Sequence, residues 1–272
     1  MKRSPKPFHA FGTGILLAGA VIVTAGDAAA QERPFLDQNY VQWADFDDDT
    51  GFISMFNGVS LAPAAGEEGF PAHQRWDGDP DHWRVENGVI VGQSTEQTPV
   101  DNGNTFLIWR GGHPADFELK VEFRFAQEAG NSGVQYRSYM RENGSNPWAL
   151  GGYQADMNFE NQHTGMLYEE GGRGRLSVRG MTTIIDHDGN HQLIGAIGTQ
   201  AGLGELINPS EWNRLQIIAI GSTMVHIIND QVMSVVIDNE AGARQGSGLI
   251  GFQMHTGPPM RIEFRNPRIK YH

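Results

Sequence analysis

The sequence predicts an all-β domain built from two packed sheets. Its 272 residues include 35 glycines and 13 prolines, which interrupt the chain too often for long helices. From position 52 onward, short alternating or β-branched runs recur between glycine and asparagine turns, as is typical of sandwiches and barrels. Aromatic residues make up 10% of the chain and pack well between sheets.

Eleven runs are predicted to be strands, and that number needs two sheets. The pairs Asn87-Gly88 and Asn229-Asp230 lie where tight hairpin turns need residues that tolerate a positive φ. No linker follows Gly51, so we expect one domain over residues 51–272 after a lead-in segment at 31–50. The predicted strands are residues 88–92, 105–109, 117–125, 133–138, 152–158, 165–169, 213–220, 224–228, 231–237, 248–254 and 261–270.

Alternation along these strands also assigns side chains to faces, because neighbouring residues of a strand point to opposite sides of the sheet. Three strands carry pairs of long polar side chains on one side. If the three strands are neighbours, the outward face of one sheet is a polar groove of the kind that binds sugars. The residues that line this predicted groove are Gln135, Arg137, Gln154, Asp156, Gln253 and His255.

The first thirty residues are predicted to be a secretory signal peptide. Basic residues near the start precede an apolar run at 14–24, and the small residues at 28–30 form a cleavage site before Gln31. An uncleaved anchor is the alternative, although the run is short for a bilayer of roughly 30 Å. We therefore expect a periplasmic or secreted protein with no stable membrane insertion after the signal is cleaved.

Charge and composition exclude several classes of function. The formal net charge of -12 repels phosphate backbones, so we expect no nucleic-acid partner. The chain has no cysteine, which excludes disulfides, thiolate metal sites and a cysteine nucleophile. The sequence also contains no HExxH motif, Walker loop or dinucleotide fingerprint.

Several short motifs, taken together in their order and spacing, resemble the family of 3-keto-disaccharide hydrolases. They include GFISMFNG at 51–58, WRVENGVI at 83–90, GNSGVQYRS at 130–138, GYQADM at 152–157, GMLYEE at 165–170, GFQMHTG at 251–257 and FRNPRIK at 264–270. The resemblance covers nearly all of residues 51–270. It implies the concanavalin A-like, or laminin G-like, jelly roll, a β-sandwich of two antiparallel sheets.

The resemblance further implies activity on glycosides whose ring carbon C3 has been oxidised to a ketone. A C3 carbonyl acidifies the hydrogen on C2, so a positioned base can form an enolate that expels the glycosidic oxygen from C1. Water then adds back for net hydrolysis, or the unsaturated sugar is released. The chemistry needs a base, a group that holds the enolate oxygen and an acid for the leaving group. A partner oxidoreductase that makes the ketone is also implied.

Asp156 and His255 are the first candidates for the base, because each is titratable and lies on the predicted polar face. An alternative role is joint coordination of a divalent metal ion that polarises the ketone. Glu170 is a candidate acid or metal ligand, with a solvated turn as the other interpretation. The candidate substrate-binding residues are Arg137, Gln154, Tyr168, Arg173, Gln253, Asn131 and Trp148. Trp148 is a sugar-stacking candidate because it lies in a polar loop.

Two other functions remain open at this point. A carbohydrate-binding, lectin-like module would use the same groove without chemistry. A conventional glycoside hydrolase would need a close pair of carboxylates, but Asp156 and Glu160 lie about 13 Å apart along an extended strand. A retaining pair needs roughly 5 to 5.5 Å, so the spacing argues against this third function.

Overall fold

The computed structural model describes residues 45–63, 68–142 and 146–272. Residues Trp43–His272 form one compact unit. The predicted signal peptide at 1–30 and most of the lead-in segment lie outside the described residues, so both stay predictions. Within the described ranges, no helix has the length and apolar character needed to span a bilayer.

The structure is almost entirely β, as the sequence predicts. A single turn of 3₁₀-helix, Ala72–Gln74, and one short helix, α1 (Gln200–Gly204), are the helical segments of the described chain. The strands are β1 (Ile53–Ser54), β2 (Trp76–Asp77), β3 (Trp83–Glu86), β4 (Val89–Gln93), β5 (Thr105–Trp109), β6 (Phe117–Phe125), β7 (Asn131–Met140), β8 (Leu150–Asn158), β9 (Leu167–Glu170), β10 (Gly174–Ser177), β11 (Met181–Ile185), β12 (His191–Ala196), β13 (Asn213–Ile220), β14 (Thr223–Ile228), β15 (Gln231–Asp238), β16 (Leu249–Met254) and β17 (Arg261–Tyr271).

The strands form two sheets, which confirms the predicted jelly-roll sandwich. The larger sheet has ten strands in the order β12-β11-β15-β14-β13-β6-β17-β4-β3, with β1 paired to β17. The smaller sheet has seven strands in the order β10-β9-β8-β7-β16-β5-β2. The expectation of purely antiparallel sheets is wrong at one place, because β11 pairs with β15 in parallel.

Alternation fixes which side of each sheet faces the core. Along β6, Phe117, Leu119 and Val121 are fully buried between the sheets. Aromatic rings link the two layers, since Phe252 of β16 stacks on Phe264 of β17 with ring centroids 4.2 Å apart. Trp76 lies against the same Phe252 ring at 4.7 Å. Burial of these large rings is the main contribution to holding the sheets together.

Both predicted hairpin turns are present. Glu86 pairs with Val89 in the register of β3 and β4, which leaves Asn87 and Gly88 as a two-residue loop with φ of 49° and 79°. Asn229 and Asp230 connect β14 to β15 in the same way, with φ of 51° and 64°. A turn with two positive φ angles matches the right-handed twist of the strands that it joins.

Candidate active site

A cavity of about 500 Å³ opens on the outward face of the seven-stranded sheet, on the side away from the core. We call it the main cavity. It collects polar and charged side chains from β7, β8, β9, β10 and β16 and from the loops beside them. Its lining consists of Gly103, Asn104, Asn131, Arg141, Gln154, Asp156, His163, Met166, Tyr168, Glu170, Arg175, Gln253, His255 and Thr256.

Strand order brings the predicted residues to one place. β7 lies between β8 and β16, as the predicted groove requires. Gln154 of β8 faces Tyr168 of β9, and Tyr168 in turn faces Arg175 of β10. On the other side of β8, Asp156 faces Gly133 of β7. Neighbouring antiparallel strands place such facing side chains within contact distance on the same side of the sheet.

A chain of amide side chains forms the floor of the main cavity. Nε2 of Gln135 donates to Oε1 of Gln154 at 3.3 Å. Nε2 of Gln154 lies 3.2 Å from Oδ1 of Asp156 and 3.4 Å from Oε1 of Gln253, and donates to both. Gly133 makes room for this arrangement, because a Cβ there would lie 2.5 Å from the Gln154 side chain. The amides thus hold the Asp156 carboxyl in one orientation.

The folded structure strongly shifts the pKa of the Asp156 carboxyl. Only 5% of the residue is exposed, and burial raises its pKa to about 7. Hydrogen bonds from Gln154 and from the Met157 amide lower the pKa, the nearby Glu170 charge raises it and the Arg175 charge lowers it. Burial disfavours the charged carboxylate and dominates these opposing effects. At neutral pH this group can therefore both accept and release a proton.

Glu170 lies at the end of β9, on the rim of the same cavity. Its Oε1 accepts a hydrogen bond from Nη1 of Arg141 at 3.4 Å. Burial raises the pKa of Glu170, while the charges of Arg141 and His255 and a hydrogen bond from Asn104 lower it. The pKa of Tyr168 is also raised, first by burial and then by the charges of the two cavity carboxylates.

His255 enters the main cavity just after β16 ends. Its Nδ1 lies 2.5 Å from the carbonyl oxygen of Thr256. A carbonyl oxygen accepts only, so Nδ1 carries a hydrogen and donates it to Thr256. The loop is held in place because the Thr256 amide donates to Oδ1 of Asn104 at 3.0 Å and its hydroxyl donates to the carbonyl of Val100 at 2.7 Å.

Seven of the ten predicted site residues therefore share one cavity. They are Asp156, His255, Glu170, Gln154, Tyr168, Gln253 and Asn131. The roles assigned to them stay predictions. Sequence reasoning missed three further titratable groups in the lining, namely Arg141, Arg175 and His163. No local motif marks them, although Arg175 could have been found from its pairing with Tyr168 across the β9–β10 hairpin.

The predicted position of Arg137 needs correction. A register shift interrupts the β7–β8 pairing between Tyr136 and Tyr139, and Arg137 has a φ of 46°. This bulge reverses the alternation, so the Arg137 side chain is fully buried away from the main cavity. Its guanidinium donates to the carbonyls of Ala115 and Gly221, each at 2.8 Å, and pairs with Asp116 at 3.0 Å.

Arg173 and Trp148 also lie outside the lining of the main cavity. Arg173 is the centre of an ion-pair network with Glu169, Asp238 and Glu240, at 2.6, 2.6 and 2.9 Å. The turn that carries it points this side chain toward β15 rather than toward the amide floor. Nε1 of Trp148 donates to Asp77 at 3.1 Å, so the indole is held against the β2 edge of the sheet.

The alternative of a divalent metal site depends on which histidine, aspartate and glutamate side chains lie close together. Within the described ranges, no group of three or more histidine, aspartate or glutamate side chains is arranged to hold a metal ion. Asp156 and His255 share the cavity, but they are not part of such a group. Arg141 and Arg175 instead place positive charge beside the two carboxyls. The residues present therefore do not fit a resident metal, and the chemistry below uses side chains only.

Several solved structures follow a similar course of the chain at low sequence identity. A candidate glycosyl hydrolase from Parabacteroides distasonis is 17% identical, with a TM-score of 0.47 over 84% of this chain and 97% of that one. The carbohydrate-binding module CBM66 from Bacillus subtilis is 13% identical, with a TM-score of 0.46 over 72% and 94%. Alginate lyase Aly36B in complex with an alginate tetrasaccharide is 12% identical, with a TM-score of 0.43 over 81% and 96%. At TM-scores below 0.5, these likenesses do not bear on substrate or mechanism.

Comparison at the level of sequence identifies the family directly. No curated protein sequence matches the chain. The profile of the 3-keto-alpha-glucoside-1,2-lyase-like domain matches residues 51–270, which is most of the chain and the same region that carries the short motifs. The protein belongs to the family of 3-keto-alpha-glucoside-1,2-lyase-like domains.

Proposed function

We propose that the protein is an exported enzyme that cleaves 3-keto-glycosides, including 3-keto-disaccharides, in the main cavity. The observation that carries the proposal is the Asp156 carboxyl, buried with a pKa of about 7 in the same cavity as His255 and Glu170. A strongly perturbed titratable group in a cleft is a candidate functional group, and a pKa near neutrality suits general acid–base catalysis. Family membership adds that the related domains are named for 3-keto-glucoside substrates.

The reaction is an elimination followed by hydration. A base removes the proton on C2, and the electrons of the C2–H bond form an enolate with the C3 ketone. The enolate then forms a C1–C2 double bond as the bond from C1 to the glycosidic oxygen breaks, and the leaving oxygen takes a proton. Addition of water, with hydroxyl at C1 and a proton at C2, gives the free 3-keto sugar. Release before that addition gives the unsaturated lyase product.

Asp156 is the proposed base. An ordinary aspartate, with a pKa near 3.9, is a weak base, whereas burial makes Asp156 basic enough to accept a carbon-bound proton. Gln154 keeps one carboxyl oxygen bonded and leaves the other for substrate. The guanidinium of Arg175, which acts on Asp156 through its charge, is the proposed partner of the negative enolate oxygen.

The pair formed by Glu170 and His255 is the proposed proton donor to the leaving oxygen. The two groups are close enough for the positive charge of His255 to lower the pKa of Glu170. Both line the main cavity together with Asn104 and Thr256. The loop that carries His255 is fixed because Nδ1 of His255 donates to the Thr256 carbonyl and the Thr256 amide donates to Oδ1 of Asn104.

A lectin-like module is the competing function, and a single experiment separates the two. Purified protein is incubated with a 3-keto-disaccharide and with the same disaccharide unoxidised, and products are identified by mass spectrometry and NMR. We expect cleavage of the 3-keto substrate only. Binding of the unoxidised sugar with no product from either substrate would favour the lectin, and cleavage of the unoxidised sugar would favour a conventional hydrolase.

Leaving-group chemistry tests the division of roles. Substitution of a proton donor, by Glu170→Gln or His255→Ala, should slow cleavage of a 3-keto-disaccharide much more than that of a nitrophenyl 3-keto-glucoside. A nitrophenolate leaves without protonation, so the acid is dispensable for it. Asp156→Asn should slow both substrates equally, because each must lose its C2 proton. Equal sensitivity of all three variants to the leaving group would contradict these roles.

A further inference from the structure

A second cavity, of about 370 Å³, adjoins the main cavity at the end of β16. We call it the side cavity. The two cavities share four lining residues, which are Asn131, His163, His255 and Thr256. A ligand that fills the main cavity and extends past His255 therefore enters the side cavity directly. His255, one member of the proposed proton-donor pair, thus lies at the junction of the two cavities.

The chemistry of the side cavity differs from that of the main cavity. Its polar lining includes the carboxylate of Glu160 and the amides of Asn158 and Gln162, and its described lining contains no lysine or arginine. The main cavity, in contrast, contains two guanidinium groups. An anionic group would meet an uncompensated carboxylate in the side cavity, whereas hydroxyl groups would find hydrogen-bond partners.

Two side chains of the side cavity are available to a ligand. Gln162 is exposed, and its amide makes no hydrogen bond to any described residue. Oδ1 of Asn131, at the junction, is buried without a hydrogen-bond partner among the described residues. A buried acceptor without a partner is destabilising, and rotation of the amide toward a ligand hydroxyl would remove that cost.

The side cavity also has apolar lining residues. Met260 is buried and Pro258 is exposed, and both contribute to the lining. Gly130 has a φ of 120°, and a Cβ on it would lie 2.8 Å from Cβ of Met260, so the backbone packs closely against this side chain. A pyranose ring, with C–H groups on its faces and hydroxyls at its edge, can contact both the apolar and the polar side chains of the lining.

We propose that the side cavity is the leaving-group subsite and that it takes a neutral, hydroxylated group such as a second sugar, in preference to an anionic one. This inference rests on the proposed function, because it assigns the keto sugar to the main cavity. The subsite would select the leaving group, which lies on the other side of the scissile bond from the keto sugar. The bond itself would then lie beside His255, at the junction.

The test compares substrates with and without a group that reaches the side cavity. Gln162→Ala should raise KM for a 3-keto-disaccharide about fivefold, the effect of one lost hydrogen bond. KM for methyl 3-keto-glucoside, whose leaving group is too small to reach Gln162, should not change. Gln200→Ala, at an exposed glutamine outside both cavity linings, is the matched control and should change neither value.

The charge of the leaving group provides a second test of the subsite. The unsubstituted protein should prefer a 3-keto-disaccharide with a neutral second sugar to one with a uronate there, and Gln162→Lys should narrow that preference roughly threefold at low salt. If the unsubstituted protein cleaves the neutral 3-keto-disaccharide and methyl 3-keto-glucoside but neither Gln162 substitution has a selective effect, the subsite is wrong and the proposed function stands. Cleavage of neither substrate by the unsubstituted protein would overturn the proposed function and the subsite with it.

Discussion

The outward faces of the two sheets carry the same alternation of polar residues, but Asp156 on the smaller sheet differs from the paired carboxylates of the larger one. On the ten-stranded sheet, Glu122 pairs with Arg265 at 2.5 Å, and Arg124 pairs with Glu263 at 2.8 Å. On the seven-stranded sheet, Asp156 is held by an amide, and it has no ion-pair partner within 4 Å among the described residues.

This difference separates a structural face from a reactive one. Ion pairs across neighbouring strands neutralise both charges and stabilise the register of the two strands. A carboxyl that is buried without a counter-ion has a displaced pKa and is available for proton transfer. Polar alternation alone therefore does not locate a site, and a buried carboxyl without an ion-pair partner on such a face is the more specific indication.

The largest expected effect comes from removing the unpaired carboxyl. Asp156→Asn should lower kcat/KM toward a 3-keto-disaccharide by roughly 10² to 10⁴-fold, the usual contribution of a general base. Glu122→Gln, the matched change on the paired face, should leave kcat/KM unchanged. Steady-state kinetics on both variants, with circular dichroism to verify folding, would measure this contrast. Equal losses in the two variants would remove the distinction between the faces.

Stability should respond to pH in the direction set by Asp156. Its folded-state pKa, about 7, is raised by burial above the value near 3.9 of an ordinary aspartate, so between these values the folded state holds a proton that the unfolded state has lost. The resulting stabilisation is present below about pH 4 and is lost as pH rises through 7, by up to about 4 kcal/mol. Urea unfolding between pH 4 and 8 should show this decline, and Asp156→Asn should show a flatter profile. A profile that is unaffected by the substitution would contradict the buried-carboxyl assignment.

A smaller effect, on stability only, is expected from the paired face. Nζ of Lys120 donates to the carbonyls of Asp45, Phe46 and Asp48, at 2.8, 3.2 and 2.6 Å, and holds that segment against the ten-stranded sheet. Lys120→Met should lower the free energy of unfolding by about 2 kcal/mol, since a charged hydrogen bond contributes about that much. Activity measured well below the melting temperature should not change. A loss of kcat/KM without a loss of stability would be the contrary result.

The smallest expected effect is that of metal removal. The described donor set does not assemble three metal ligands, so dialysis against a chelator should leave kcat/KM within experimental error. Add-back of zinc, manganese or calcium should likewise have no effect. A loss of activity that one of these ions restores would replace the side-chain mechanism with the metal-assisted alternative for Asp156 and His255.

Much of the fold could be predicted from local pattern. The predicted limits of β5, β6 and β13 are the observed ones, because each is an uninterrupted run without glycine or proline. β1, β2, β3, β10, β11 and β12 were missed. β1 and β2 are only two residues long, and β10 and β12 contain glycine. β11 is held by parallel pairing with β15, a partner about fifty positions away. Pairing at that separation leaves no local signal.

The site was predictable where side-chain direction followed alternation and not where the backbone broke it. Gln154, Asp156 and Gln253 lie on the expected face because β8 and β16 are regular there. Arg137 does not, since the bulge in β7 turns its side chain inward. Arg141 and Arg175 reach the cavity from loop and hairpin positions, which only the three-dimensional register reveals.

The central claim is that cleavage begins with loss of the C2 proton, and the fate of that hydrogen tests it most directly. A 3-keto-disaccharide deuterated at C2 is cleaved in ordinary water, and the product is examined by NMR, with the deuterated free 3-keto sugar in buffer as the control for spontaneous exchange. The account predicts that the cleaved product has lost its deuterium at C2 while the control retains it. Cleaved product that keeps the deuterium would contradict elimination and with it the role of Asp156 as the base.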